Sequence, residues 1–325
     1  MFCSTIIPTI GRSTLSRAVE SVLNQNMDPA DFEVIVVNDS GQLLPDAAWH
    51  HSTQVQIIHT NCHNRSVARN TGASLAQGKY LHFLDDDDWL LPNAFVALQA
   101  LAQVSQAAWL YGGFCLVDNN GQAIQVIKPK EGGNCSIQLL ASEWLPLQAS
   151  LIQSTAFFAV GGFASLPSLL GGYEDIDLSR QIGQAHDISG TKVIVANIRI
   201  GDNNSTTNYN NMFDQNRQSR EKILNAPGTF TRLQASANSS ENNSDYWCGQ
   251  IVYYYLASMR WNLRYKRLLT AASRGIYALI GLALARQYLL SLSFWQGVTE
   301  PHLNRVRTAI ETSNVSLYTE TVWEP

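Results

Sequence analysis

The chain lacks the cysteine pattern of a disulfide-stapled or zinc-binding protein. Its five cysteines are scattered and include no C-x-x-C pair: Cys3, Cys62, Cys115, Cys135 and Cys248. An odd, dispersed set argues against a disulfide framework or a zinc site and favours a reducing compartment. Residues 1–8 are apolar, but no basic flank precedes them and Pro8-Thr9 ends the run, so we expect no signal peptide and a cytoplasmic protein.

Charge is also sparse. Charged residues make up 15% of the 325 residues and the formal net charge is −4, with no long basic run. The sequence therefore predicts no general attraction to nucleic acid. Hydrophobic residues make up 45%, which is typical of a globular chain with a substantial core and not of a disordered one. The length is enough for about two domains.

One stretch approaches the apolar character of a membrane span. Residues 276–296 are mostly apolar, but Arg286 and Gln287 lie in the middle. A spanning helix needs about 20 largely apolar residues, and a central arginine is costly in the bilayer. We therefore expect a buried helix here. A helix that binds a membrane surface or a partner is the next alternative, and a spanning helix is the third.

Several nucleotide-binding and hydrolase motifs are missing. The segment Gly72–Lys79 resembles a P-loop only superficially, because five residues separate its glycines and Tyr80 replaces the required Ser or Thr. No G-x-G-x-x-G follows the first predicted strand, and neither G-x-S-x-G nor H-E-x-x-H occurs. The sequence therefore gives little support to a dinucleotide-binding, serine-hydrolase or zinc-protease function.

Residues 1–125 alternate short apolar strands with amphipathic helices. Strands are predicted at Phe2–Pro8, Phe32–Val37, Val55–His59 and Tyr80–Leu84, and helices after a Ser13 cap, at Ser66–Ala76 and at Pro92–Val104. This alternation predicts a mainly parallel sheet with right-handed crossovers. Later segments predict a hairpin (Trp109–Val117 and Gln122–Lys128), a strand (Val193–Ile198) and a helical region (Tyr246–Trp295).

Polar clusters follow three of the predicted strands. They are Thr9 after the first strand, Asp39 after the second, and Asp85–Asp88 after the strand that ends at Leu84. Ligands of parallel sheets bind beyond the carboxyl ends of the strands, so we expect the three clusters to meet at one edge. Four consecutive aspartates could instead form a solvated loop. The apolar residues on both sides place them at the mouth of the core, which favours a site for Mg²⁺ or Mn²⁺.

Two other charged groups each have a structural and a functional interpretation. Glu174-Asp175 opens a predicted helix, where acidic side chains stabilise the helix dipole or where one carboxylate removes a proton from an acceptor hydroxyl. Arg65 and Arg69 lie near a predicted helix start, where they bind a phosphate or a base, or form surface ion pairs. The residues alone leave these alternatives open.

Taken in order, a series of short segments resembles the family 2 glycosyltransferases, which have the GT-A fold. The segments are Ser4–Thr9, Ala18–Gln25, Val36–Ser40, Ser66–Gly72, Ala76–Tyr80, Phe83–Trp89, Val160–Phe163 and Glu174–Leu178. Each segment alone is weak, but the ordered set is specific and covers residues 3–200.

The resemblance implies an α/β fold of the GT-A type: a Rossmann-like, mainly parallel central sheet with flanking helices, plus a C-terminal helical region. A glycosyltransferase domain is expected over residues 1–225, with a nucleotide-binding half at 1–118 and an acceptor half at 119–225. A helical extension is expected over residues 226–325. The implied reaction is inverting transfer from a nucleotide sugar, such as a UDP-sugar or a dTDP-sugar, to a hydroxyl acceptor, with Mn²⁺ or Mg²⁺ on the diphosphate.

The same resemblance implies a role for each candidate site residue. Donor binding is expected of Pro8, Thr9, Asp39, Arg65, Arg69, Asp85 and Asp86. Asp39 would contact the base, Asp85 the ribose or donor sugar, and Asp87 the metal. Asp175 would be the catalytic base. Diphosphate or acceptor contacts are expected of Glu174, Arg180 and Arg199.

Two positions depart from the family pattern. Asn38 replaces the usual aspartate before Asp39, and the segment that begins at Arg199 lacks the histidine of the family's Arg-x-His element. A sugar-phosphate nucleotidyltransferase is an alternative, although it should carry a glycine-rich basic loop that Gly11-Arg12-Ser13 matches poorly. A non-catalytic nucleotide-sugar-binding protein is another, although the acidic residues are intact. The aromatic-rich C-terminal helices are expected to pack in the core, with a peripheral membrane or protein contact as the alternative.

Overall fold

The computed structural model describes residues 1–129, 132–141, 145–164, 173–200, 209–240 and 243–300, with the side chains of 209–214 excepted. Its strands are β1 (Cys3–Thr9), β2 (Phe32–Asn38), β3 (Val55–His59), β4 (Tyr80–Phe83), β5 (Trp89–Leu90), β6 (Trp109–Val117), β7 (Ala123–Ile127), β8 (Ser150–Gln153) and β9 (Ile188–Arg199). Its helices are α1 (Leu15–Leu23), α2 (Arg65–Leu75), α3 (Ala94–Val104), α4 (Ser136–Leu140), α5 (Ser154–Ala159), α6 (Glu174–Gly183), α7 (Tyr209–Asn225), α8 (Thr229–Ser239), α9 (Ser244–Arg264), α10 (Leu268–Leu284) and α11 (Leu292–Thr299).

Within these residues the strands form one nine-stranded sheet. The order is β3-β2-β1-β4-β8-β6-β9-β5, with β7 paired to β6 off this path. The first four strands in this order are mutually parallel, and β6 and β9 are parallel, whereas β8 runs antiparallel to both of its neighbours. The predicted mainly parallel sheet is therefore confirmed, as is the β6–β7 hairpin.

The apolar strands are buried on both faces, which explains their near-continuous hydrophobic runs. Successive residues of β2 alternate between two hydrophobic clusters: Val34 and Val36 belong to one, Ile35 and Val37 to the other. Helices α1 and α3 cover the first cluster, and α2, α5 and α6 cover the second. A Cβ on Gly72 would lie 2.5 Å from Ile6 Cγ2, so this glycine of the P-loop-like segment serves helix–sheet packing.

Helix starts follow the sequence less closely than the strands do. The predicted Ser13 cap is wrong, because Thr14 occupies the N-cap of α1 and makes no side-chain cap hydrogen bond. At α2, by contrast, the Asn64 side chain accepts hydrogen bonds from the N–H groups of Ser66 and Val67. These two contacts fix the first turn of α2. The helix then places Arg65 and Arg69 at the sheet edge.

The C-terminal helices form a third hydrophobic cluster, which also includes α4 side chains. Helix α10 packs on α9, but its larger apolar side chains face outward: Leu269 is 90% exposed, Ile276 58% and Leu279 66%. The expectation of a buried helix is therefore wrong for this face. Nowhere in the described ranges is a helix both long and apolar enough to cross a membrane. The division at residue 225 coincides with the end of α7 and stays a prediction.

Candidate active site

A cleft of about 810 Å³ opens where β1, β2 and β4 end. Thr9, Asp39 and the four aspartates Asp85–Asp88 all line it, together with Pro8. The Thr9 hydroxyl donates to Asp86 Oδ2 over 2.6 Å, and the Asp39 N–H donates to the Thr9 carbonyl over 2.8 Å. The expectation that the three strand-end clusters meet at one edge is thus confirmed.

Asp85 is held from two sides in the cleft. Arg69 Nη2 lies 2.5 Å from its Oδ1, and Gln148 Nε2 donates to its Oδ2 over 3.0 Å. Burial alone would raise the pKa of Asp85, but the guanidinium groups of Arg69 and Arg65 outweigh that effect and hold the pKa below its ordinary value. Asp85 is therefore an ionised, fixed carboxylate.

Arg12 joins the next two aspartates. Its Nη1 lies 2.9 Å from Asp86 Oδ1 and 3.2 Å from Asp87 Oδ2. Burial raises the pKa of Asp86, and the contacts with Thr9 and Arg12 oppose that rise. Asp87 also pairs with Arg199 Nη2 over 3.1 Å, and its side chain is 16% exposed. Of these two aspartates, Asp86 is buried and Asp87 is the more exposed.

Asp88 faces inward and joins the loop to β9. Its Oδ1 accepts a hydrogen bond from the Arg199 N–H over 2.7 Å. Burial, and then the charge of Asp85, raise the pKa of Asp88 well above its ordinary value. This contact places the end of β9, and with it the Arg199 side chain, against the acidic loop.

Asp39 organises the segment that precedes α2. Its carboxylate accepts hydrogen bonds from the Thr60 hydroxyl and from the N–H groups of Cys62 and Asn64, at 2.7–2.8 Å. Burial opposes ionisation, but these donors hold the pKa of Asp39 below its ordinary value. The neighbouring Asn38 donates to the Gln42 carbonyl over 2.6 Å and so supports the turn after β2.

Arg69 connects the two acidic segments of the cleft. It is 3% exposed, and its Nη1 lies 3.0 Å from Glu174 Oε1 while its Nη2 contacts Asp85. Arg65 reaches the same Glu174 oxygen with its Nε over 2.7 Å, from a position that is 38% exposed. Two arginines of α2 therefore clamp the first residue of α6.

Asp175 follows Glu174 and lines the same cleft. Its Oδ1 accepts a hydrogen bond from the Ile176 N–H over 2.7 Å. Burial, and then the charge of Glu174, raise the pKa of Asp175 to about 6. Adjacent carboxylates thus have distinct environments, a pattern that separates a binding group from an acid–base group.

Arg180 is not part of the cleft lining, which corrects the expectation of a diphosphate contact. Its guanidinium is fully buried and donates to the carbonyls of Leu139, Leu140 and Asn216 and to Asn216 Oδ1, at 2.8–3.2 Å. Arg180 therefore joins α4 and α7 to α6. Arg199 does reach the cleft, whereas the rest of the Arg-x-His position, residues 201 and 202, lies outside the described residues.

Two residues that contact the acidic loop, Arg12 and Gln148, are not among those predicted from the sequence. Arg12, three residues beyond β1, follows the strand-end rule and could have been included. Gln148 has no local signal. It is placed by His82, whose Nε2–H donates to the Gln148 carbonyl over 3.0 Å while Nδ1 lies 3.1 Å from the Thr5 hydroxyl. Burial lowers the pKa of His82 to about 4, so the ring is neutral at physiological pH. It acts on the site only by positioning Gln148, which contacts Asp85.

Comparison with known proteins adds a sequence match and a structural match. The family described as Glycosyl transferase family 2 matches residues 4–161. The poly(ribitol-phosphate) beta-N-acetylglucosaminyltransferase TarP of Staphylococcus aureus (strain N315) is 29% identical over 166 residues, which cover 48% of this chain and 46% of TarP. An uncharacterized glycosyltransferase of Haemophilus influenzae is 28% identical over 195 residues, 58% of this chain and 65% of that protein. The chain thus spans less than two thirds of these relatives.

The crystal structure of S. aureus TarS 1–349 in complex with UDP-GlcNAc has a TM-score of 0.58 at 14% identity, over 88% of this chain and 92% of that one. At this identity the likeness concerns the fold. It confirms the expected GT-A architecture.

Proposed function

Residues 4–161 form a family 2 glycosyltransferase domain, and from this premise we propose that the protein transfers a sugar from a UDP-sugar to a hydroxyl group of an acceptor. The observation that carries the proposal is the pairing, in one cleft, of a clamped aspartate cluster with an unclamped carboxylate of raised pKa. The UDP-GlcNAc and UDP complexes of TarS support the choice of nucleotide.

The nucleotide is assigned to the β1–β2 side of the cleft. Pro8, Thr9 and Asp39 line this side, where the backbone after β2 is held in place by the Asp39 carboxylate. Asp39 thereby contributes to base recognition by shaping the segment that contains Asn64. Arg65 is 38% exposed and pairs with Glu174. Because such a partly exposed ion pair contributes little stability, Arg65 can exchange it for a contact with a phosphate oxygen.

Charge in the cleft favours a divalent cation with the donor. Seven acidic side chains but only four arginines line the cleft within the described residues. A diphosphate adds further negative charge, which these arginines offset only in part because each already contacts an aspartate or Glu174. We assign the cation to Asp87, because Arg12 and Arg199 both contact its Oδ2, whereas Arg69 and Gln148 occupy the two oxygens of Asp85.

The protein groups fit a shared cation site and not a closed cage. No set of three or more His, Cys, Asp or Glu side chains is arranged to hold a metal in the part of the chain that the structure describes. Mg²⁺ and Mn²⁺ sites in phosphate-transferring proteins commonly use one or two carboxylates, with phosphate oxygens and water completing the shell. A cation bound in this way would offset the charge that develops on the departing diphosphate.

Asp175 is assigned the proton transfer. At neutral pH a carboxyl group with a pKa of about 6 is mostly ionised, yet it is a stronger base than an ordinary aspartate. It takes the proton of the acceptor hydroxyl as the hydroxyl oxygen attacks the anomeric carbon and the bond to the diphosphate oxygen breaks. One displacement inverts the configuration of the sugar, through a transition state with oxocarbenium character.

Nucleotide release tests this function. The protein is incubated with Mn²⁺, a panel of UDP-, dTDP- and GDP-sugars and candidate hydroxyl acceptors, and UDP-sugar turnover is expected to exceed that of the other donors. Asp87→Ala and Asp175→Asn should each abolish most of the turnover. Asp177→Asn is the matched control. Asp177 lies on the same helix but does not line the cleft, and its carboxylate accepts a hydrogen bond from Gln181. Turnover that survives both Asp87→Ala and Asp175→Asn would falsify the assigned roles.

A further inference from the structure

Helix α10 has small apolar residues inside and most of its large apolar residues outside. The buried positions include Ala271, Ala278 and Gly281, and these pack on α9. A Cβ on Gly281 would lie 3.2 Å from Val252 Cγ2, so the small residues allow the two helices to approach closely. A surface helix of a globular protein normally has the reverse arrangement, with its large apolar residues towards the core.

The outer face of α10 is the stripe formed by Leu269, Ala272, Ile276, Leu279, Ile280 and Ala283. These residues recur every three or four positions, so they share one side of the helix. All six are apolar and exposed to solvent. Leu290 and Leu292, which are 102% and 75% exposed, continue the apolar surface beyond the helix. A contiguous exposed apolar surface commonly marks a contact site for a protein or a membrane.

Charge indicates what covers this face. Between Tyr246 and Thr299 the sequence has no Asp or Glu, and its basic residues are Arg260, Arg264, Lys266, Arg267, Arg274 and Arg286. The whole chain has a formal charge of −4, whereas this stretch contains six basic residues; its acidic neighbours are Asp245, which accepts a hydrogen bond from Ser291, and Glu300. All of these basic residues except Arg274 are exposed. Lys266 and Arg267 precede the outer face of α10 and Arg286 follows it.

We propose that the outer face of α10 docks on an anionic lipid surface. In that arrangement the leucine and isoleucine side chains enter the acyl boundary, and the flanking basic residues contact lipid phosphates. Tyr265, Tyr277 and Trp295, which are partly exposed near the same helix, are side-chain types that favour the membrane interface. A second copy of the chain fits this face less well, since a symmetric contact would bring the same basic residues together.

Vesicle flotation of the full chain tests the proposal. The probes are vesicles of phosphatidylcholine alone and vesicles of three parts phosphatidylcholine to one part phosphatidylglycerol. We expect binding to the anionic vesicles that exceeds binding to the neutral ones by roughly tenfold or more and that weakens at high salt. The double variant Leu269→Ser, Ile276→Ser should lose roughly tenfold of the affinity, because it removes apolar contact without changing charge.

Two comparisons make the result specific. Val104→Ser removes an apolar side chain that is 84% exposed at the end of α3, far along the chain from α10, and should leave binding unchanged. Arg264→Gln, Arg286→Gln should weaken binding to anionic vesicles and reduce its salt dependence. Thermal unfolding of each variant checks that it is folded.

Three results would overturn the proposal. The first is no binding to anionic vesicles at low salt. The second is equal binding of wild type and the Leu269→Ser, Ile276→Ser variant. The third is a dimer, detected by sedimentation, that this variant dissociates while vesicles do not bind, because a second copy would then be the occupant.

Discussion

The cleft contains two acidic segments whose side chains are held very differently. In the segment Asp85–Asp88 each carboxylate has a polar partner, drawn from Thr9, Arg12, Arg69, Gln148 and Arg199. In the other segment Glu174 is clamped by two arginines, whereas Asp175 accepts an N–H from the next residue and has a pKa raised to about 6. The ion pairs with Arg69, and not the residue type, therefore separate Asp85 and Glu174 from Asp175.

Arg69 makes this separation possible. One buried guanidinium contacts Asp85 in the first segment and Glu174 in the second, so both segments share a single positive charge. The charge of Arg69 lowers the pKa of Asp175 through space, but by less than burial and Glu174 raise it. The clamp fixes the helix start that carries Asp175 without neutralising Asp175 itself.

Asp175→Asn should break the comparison most completely. Loss of a general base lowers turnover by about 10²–10⁴-fold. Because Glu174 and not Asp175 holds the α6 start to Arg65 and Arg69, UDP affinity should change little. Single-turnover kinetics measures the first quantity and calorimetric titration of UDP with Mn²⁺ the second. A parallel loss of both, or unchanged turnover, would contradict the assignment.

Arg69→Met should have the next largest effect, on folding stability. Removal of one partner of a buried ion pair costs about 3–5 kcal/mol. Here the substitution removes the ion pairs of Arg69 with both Asp85 and Glu174. Arg65→Met is the matched control. It removes the other contact to the same Glu174 oxygen, but from a position that is 38% exposed, so its cost should be at most about 1 kcal/mol.

Urea unfolding followed by circular dichroism gives both free energies of unfolding. Equal free energies of unfolding for the two variants would show that the buried Arg69 stabilises the fold no more than the partly exposed Arg65. The proposal that Arg69 holds the two segments together would then be contradicted.

Asp87→Asn should act on the first segment alone. Mutation of residues that only support a metal ligand typically costs 10–100-fold in metal affinity, so loss of a direct ligand should cost at least about tenfold. The expected result is weaker UDP binding with Mn²⁺ and unchanged UDP binding without it. Asp46→Asn, in an exposed loop, is the control. If the variant binds UDP and Mn²⁺ like wild type, a group other than Asp87 holds the metal.

The sequence predicted the framework of the cleft but not the facing of every helix. The β-strands were predictable because both of their faces are buried, and the strand-end rule then placed Thr9, Asp39 and Asp85 together. Arg180 was misplaced because motif order does not specify a helix face. At 3.6 residues per turn, Arg180 lies about 140° around α6 from Asp175 and so points into the core.

Long-range placement explains the other misses. Gln148 reaches Asp85 from a turn far along the chain and is oriented by a buried His82, so no local pattern marks it. The mostly apolar composition of α10 predicted a buried helix, but its small residues already satisfy the packing on α9, which leaves the large ones outside. Composition shows that a helix is apolar, but the packing against a neighbouring helix decides which of its faces is buried.

The pH dependence of turnover gives the mildest test of the comparison. Asp175 must be ionised to accept a proton, and its pKa is raised to about 6, so activity should be lost as the pH falls through that value. At pH 5 the ionised fraction is about one tenth, so kcat/KM should be about tenfold below its plateau at pH 7 to 8. Asp85 should add no second fall in this range, since Arg69 and Arg65 hold its pKa below the ordinary value. The Asp87→Asn variant should therefore keep the same midpoint at lower activity. A midpoint near 4 in the wild type would show that Asp175 behaves as an ordinary aspartate and that the two segments do not differ in the way the structure indicates.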